Sequence, residues 1–108
     1  MKRTLSKIIG YAAGVAEPER IILFGSMACG NANVFSDIDL LIISENTLTK
    51  RETAAIITSY ARELSLKVDV LIYSASEVEK ERQKAHSFVG AILKSGKPVF
   101  ENKKVLTS

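Results

Sequence analysis

The chain has 108 residues, 46% of them hydrophobic and 25% charged, with a formal net charge of +3. That length suits one compact domain over residues 1–108 with a core of its own. A charge so small and scattered leaves no footprint for direct nucleic-acid binding, and no stretch approaches the roughly 20 apolar residues of a membrane span. The single cysteine, Cys29, excludes an internal disulfide and suits a reducing cytoplasm.

The opening "MKRTLSKIIGYAAGVA" imitates a basic leader followed by a short apolar core. However, Leu5, Ile8, Ile9, Ala12, Ala13 and Ala16 repeat at helical spacing, which predicts an amphipathic core helix over 4–16 that stops before Pro18. Residues 20–24 read as a short buried strand. Gly25-Ser26 then turns into a brief helical or irregular piece and the polar loop "GNANVFS", and a second strand covers 37–43. Thr49 and Glu52 have capping-box spacing, and Thr53, Ile56, Ile57, Tyr60, Ala61 and Leu64 form the core face of the helix behind them. A third strand covers 66–73. Ser76 and Glu79 are spaced as a second capping box, opening one long helix that ends at Gly96, with Ala85, Phe88, Val89, Ile92 and Leu93 toward the core. His86 falls on the flank of that helix, and Tyr11, Tyr60 and Tyr73 read as core or boundary aromatics. "KPVFE" completes the pattern as an edge strand, where Pro98 is tolerated. The order predicts an α+β fold, a small three- or four-stranded mixed sheet flanked by helices.

Within a strand, alternate side chains share a face, so Asp37 and Asp39 point one way while Ile38 points into the core. Asp69 is a third carboxylate, set inside the otherwise apolar "VDVLI". The helix between the second and third strands is long enough to return the chain and bring Asp69 beside the other two. Converging carboxylates repel one another and call for a cation, and hard oxygen donors select Mg²⁺ or Mn²⁺. Such a set suits metal-assisted phosphoryl or nucleotidyl transfer. Gly25-Ser26 follows a strand directly, where glycine allows close backbone approach and N–H groups at a helix start favour phosphate. Neither a dinucleotide-binding fingerprint nor a P-loop lysine motif is present.

Taken together, "FGSMACGNANVFSDIDLLI" resembles the signature of DNA polymerase beta-like nucleotidyltransferases: Gly-Ser, then Asp-x-Asp about ten residues on, then a third Asp on a later strand. The short length, the run Ser36-Asp37-Ile38-Asp39-Leu40 and the ending "FVGAILKSGKPVF" look most like the minimal nucleotidyltransferases. These are often paired, as antitoxin to toxin, with a small helical HEPN protein. The resemblance implies that Gly25, Ser26 and Ser36 hold ATP, and that Asp37, Asp39 and Asp69 are catalytic and ligate Mg²⁺ or Mn²⁺. It also implies a cytoplasmic enzyme that moves AMP from ATP to a hydroxyl acceptor, a tyrosine of the HEPN-type partner, in a homo- or hetero-oligomer without membrane attachment. The chain departs from the family pattern at Cys29, where Arg commonly stands. That loss of a guanidinium is the sequence support for an alternative, a non-catalytic module that inhibits its partner by occlusion. A stand-alone enzyme acting on a small hydroxylated molecule is the third reading.

Overall fold

The computed structural model describes residues 2–25, 38–45 and 49–101. Helix α1 (Lys2–Ala16) leads into strand β1 (Arg20–Phe24), and β2 (Ile38–Ile43) is followed by helix α2 (Lys50–Glu63). Strand β3 (Val68–Tyr73), helices α3 (Ala75–Arg82) and α4 (Phe88–Ser95), and strand β4 (Lys97–Glu101) complete the order. The four strands form one mixed sheet in the order β3-β2-β1-β4. β1 runs antiparallel to both β2 and β4, whereas β2 and β3 are parallel because α2 carries the chain back before β3 begins. β4, with Pro98, occupies the edge.

Alternation along the strands divides the core between two faces. Ile21, Leu23, Ile38, Leu40, Ile42 and Ile72 meet Ile8, Ala12 and Ala16 of α1 and Ile57 and Ala61 of α2. On the other face Ile22, Leu41 and Ile43 meet Val78 of α3 and Val89 and Ile92 of α4. Burying a large aliphatic side chain of this kind contributes about 1.5–3 kcal/mol, so the central strands set the register. Ser44, buried at the end of β2, donates to the Ala16 carbonyl at 2.6 Å and ties the last turn of α1 to the sheet. No helix among the described residues is long and apolar enough to cross a membrane.

The expected boundaries hold for β1, and Thr49 caps α2 by accepting from the Glu52 N–H at 3.0 Å. The final helix differs. The expected single helix is two, separated at residues 83–87, with Ala85 and His86 in the exposed connection rather than on a helix. His86 has φ of 60° there, a left-handed turn that a continuous α-helix does not allow. α3 also starts earlier than expected: Ser74, not Ser76, is the cap, and it exchanges hydrogen bonds with Glu77 in a full capping box. Gly96 ends α4 as expected, at φ −75°, outside the left-handed region usual for a glycine that follows a helix. A side chain there is excluded for lack of room, since a Cβ would lie 2.5 Å from Ile22 Cγ2 and from the Ile92 carbonyl. Ile56 and Phe88, both expected in the core, are 40% and 61% exposed.

Candidate functional site

The site forms where strand direction gathers the ends of three strands. β1 finishes at Phe24, whereas β2 and β3, being parallel to each other, both begin at that same end of the sheet. Asp39 lies opposite Phe24 across the antiparallel pair and in register with Asp69 across the parallel one. Residues opposite one another share a face, and adjacent strands are about 4.8 Å apart, so the two carboxylates stand side by side with Phe24 flanking Asp39. Their face is the one that carries Leu41, Ile43 and Leu71 farther along. Asp39 is half-buried and Asp69 exposed. The return of β3 beside β2, expected from the sequence, brings Asp69 to Asp39; Asp37 lies outside the described residues, as do Ser26, Cys29 and Ser36.

Gly25 contributes in a way its sequence position did not reveal. It leaves β1 with φ of +79°, and a Cβ built on it would overlap the Asp39 Oδ2 and lie 3.3 Å from the Asp39 carboxyl carbon. Only glycine accommodates both the left-handed turn and a carboxylate packed against its α-carbon. The strand-ending glycine therefore leaves the space that an acidic side chain occupies.

The other flank was hidden in the sequence because α3 and α4 looked continuous. Ser87 caps α4 by accepting from the Gly90 N–H at 2.8 Å, and the cap closes over Gly90, where a Cβ would sit 2.6 Å from Ser87 Oγ. The cap fixes Phe88 as the first residue of α4, and its ring meets that of Phe24 in a T-shaped contact at 5.9 Å between centroids and 84° between planes. A cavity of about 790 Å³, lined by Arg20, Ile43, Val78, Arg82, Leu93 and Lys94, opens at the far end of the sheet. It is remote from the carboxylates and shares no residue with them.

Paired carboxylates fit a hard divalent cation in the chemistry of their oxygens. Among the described residues no group of three or more His, Cys, Asp or Glu side chains comes together as a metal site; Asp39 and Asp69 are two such donors, and Asp37, outside the described residues, is two positions before Asp39 in sequence.

A family model for "Polymerase beta, Nucleotidyltransferase" matches residues 6–105. The chain belongs to this nucleotidyltransferase family. A Methanocaldococcus jannaschii protein that carries the name protein adenylyltransferase MJ0141 is 44% identical over 54 residues, which are 50% of this chain and 54% of that protein's length. The chain thus matches about half the length of this curated relative. Among solved structures, a toxin–antitoxin crystal structure with AMP-PNP shares the fold at a TM-score of 0.60 and 21% identity, over 94% of this chain and 73% of the other. A mutant of the toxin–antitoxin pair MntA–HpeT gives 0.62 at 16% identity, over 95% of this chain and 75% of the other. A Sulfolobus solfataricus protein named as a nucleotidyltransferase gives 0.55 at 19% identity, over 95% and 82%. These likenesses establish the nucleotidyltransferase fold, with its mixed sheet and flanking helices.

Proposed function

We propose that this protein transfers AMP from ATP to a hydroxyl group of a partner protein, a tyrosine of a HEPN-type toxin that it thereby silences. The observation that carries the reading is the in-register pair Asp39 and Asp69, set against the Gly25 turn at one end of the sheet in a chain of this family. The name of the M. jannaschii relative and the AMP-PNP and toxin of the similar complexes favour ATP and a toxin partner over other donors and acceptors.

In the reaction, the acceptor oxygen attacks the α-phosphorus of ATP, the bond from that phosphorus to the bridging oxygen breaks, and pyrophosphate leaves. Asp69, the exposed member of the pair, stands where an acceptor hydroxyl enters, and it takes the hydroxyl proton. Asp39 packs into the space that Gly25 leaves beside the turn, and a carboxylate already seated there needs little reorganisation when charge develops. Gly25, Ser26 and Ser36 cradle the triphosphate. Asp37, Asp39 and Asp69 would hold Mg²⁺ or Mn²⁺, which when bound offsets the charge of the phosphate and of the carboxylates themselves. The chain acts as a single domain in the cytoplasm, where ATP is supplied.

Copurification from the native host, followed by intact-mass analysis of the partner after incubation with ATP and magnesium, tests this. The expected result is one added AMP, absent with Asp39→Asn. An unchanged partner mass in a stable complex would replace the reading with inhibition by occlusion. Pyrophosphate release driven by a small hydroxylated acceptor without any partner would replace it with small-molecule transfer.

A further inference from the structure

Phe88 is a large apolar side chain left 61% exposed at the first position of α4. The structure fixes it firmly for so exposed a group. Ser87 caps the helix immediately before it, Gly90 leaves room for that cap, and the Phe24 ring makes a T-shaped contact with the Phe88 ring. Phe88 shares a face with Ile92, one turn farther along the helix. Gly90, Leu93 and Lys94 line the cavity at the far end of the sheet, and Val89 and Ile92 enter the core. Phe88 instead meets Phe24, the residue opposite Asp39. Phe24 stands on the β1 side of Asp39 and directly precedes the Gly25 turn, whereas Asp69 stands on the β3 side.

We infer that the exposed ring of Phe88 is the platform on which the nucleobase of the bound nucleotide stacks. The inference rests on the nucleotidyl-transfer reading and assigns the two flanks of Asp39 to the two substrates. The β3 flank, with an exposed carboxylate, receives the acceptor hydroxyl. The β1 flank, with the Gly25 turn and an aromatic pair, receives the nucleotide. Every base offers a π face, and an exposed aromatic ring stacks on it without hydrogen-bond readout. A purine overlaps the ring more than a pyrimidine does, so the platform favours ATP over UTP.

The test is calorimetric titration, in the presence of magnesium, of a non-hydrolysable ATP analogue and separately of inorganic tripolyphosphate, which has no base. Phe88→Ala is expected to weaken the analogue on the order of tenfold and to leave tripolyphosphate unchanged, the second titration also reporting that the site is folded. Phe88→Leu, which keeps apolar bulk without a π face, is expected to weaken the analogue similarly. Phe88→Trp is expected to restore it, and in a chain with no tryptophan of its own its fluorescence should respond to the analogue and not to tripolyphosphate. Equal analogue affinity in the wild type and both Phe88→Ala and Phe88→Leu overturns the inference, as does a loss confined to partner binding. A wild type that binds neither probe overturns the nucleotidyl-transfer reading itself, and the inference with it.

Discussion

Replacing Gly25 by alanine should separate the role of this glycine in placing a carboxylate from an ordinary role in a turn. The residue has φ of +79°, and the added methyl would overlap the Asp39 Oδ2. Holding an L-residue in the left-handed region costs roughly 1–2 kcal/mol. For a chain of this size each kcal/mol lowers the melting midpoint by about 4–8 °C. The overlap adds to this, or is relieved by moving Asp39. A displacement of about 1 Å in a reacting group can cost on the order of 100-fold in rate. Gly25→Ala is therefore expected to melt lower and to lose most of its transfer activity, read by thermal denaturation and by label transfer from ATP. Gly10→Ala is the matched control. Gly10 is exposed within α1 and has nothing within 4 Å of an added Cβ, so alanine there should stabilise by up to about 1 kcal/mol. If Gly25→Ala melts and reacts like the wild type, Asp39 does not need the space this glycine leaves, and the account of how the site is built fails.

Asp69→Asn should keep the fold, and its removal of one of two adjacent like charges should leave the metal-free melting midpoint equal or raised. Its transfer rate should fall about 100-fold or more if Asp69 takes the acceptor proton; near-wild-type turnover would assign that proton elsewhere. Ser44→Ala removes the donor to the Ala16 carbonyl inside the core and should cost about 1–3 kcal/mol in urea denaturation. An unchanged midpoint would mean that the link between α1 and β2 contributes nothing. Glu77 has its carboxyl lowered from 4.5 to about 2, first by the hydrogen bond from Lys50 and then by the Ser74 N–H. A lowered carboxyl pKa stabilises the fold above the unfolded value and loses that contribution as pH falls through the folded one, so the effect should fade between pH 4.5 and about 2. With the side chains of Lys50 and Glu77 49% and 44% exposed, solvent screening holds it below about 1 kcal/mol. Glu77→Gln should flatten stability across that pH window, and acid denaturation with an unaltered slope would refute the linkage.

Most of the sheet was readable because its strands are continuous apolar runs closed by turn residues, and because Thr49 and the stripe of Ile57 and Ala61 mark α2 clearly. The convergence of Asp39 and Asp69 was readable for the same reason: a helix of that length must return the chain beside the strand it left. The start of α3 is ambiguous in the sequence because Ser74 with Glu77 and Ser76 with Glu79 have the same spacing. The earlier pair prevails through contacts distant in sequence, Lys50 on Glu77 and Glu45 on the Ala75 N–H. The break after α3 was hidden because Ala85 continues the apolar period, whereas the left-handed turn at His86 leaves no periodic trace. The pairing of Ser87 with Gly90 was the available signal, a cap followed by the one residue that leaves it room. In a continuous helix Phe88 would face the core, whereas the short separate helix presents it beside Phe24 at the surface. Ile56 shows a narrower limit: a six-residue stripe was expected on α2, but the sheet covers only part of it.

The most direct test of the central claim follows the two ends of ATP separately, using the protein with its copurified partner and ATP labelled at either the α- or the γ-phosphate. Nucleotidyl transfer predicts that the α-label becomes bound to protein while the γ-label leaves as pyrophosphate, and that chelation of divalent ions or Asp39→Asn stops both. Protein-bound γ-label would mean a phosphoryl transfer instead, and α-label that stays in ATP would mean that the paired carboxylates do not support the reaction.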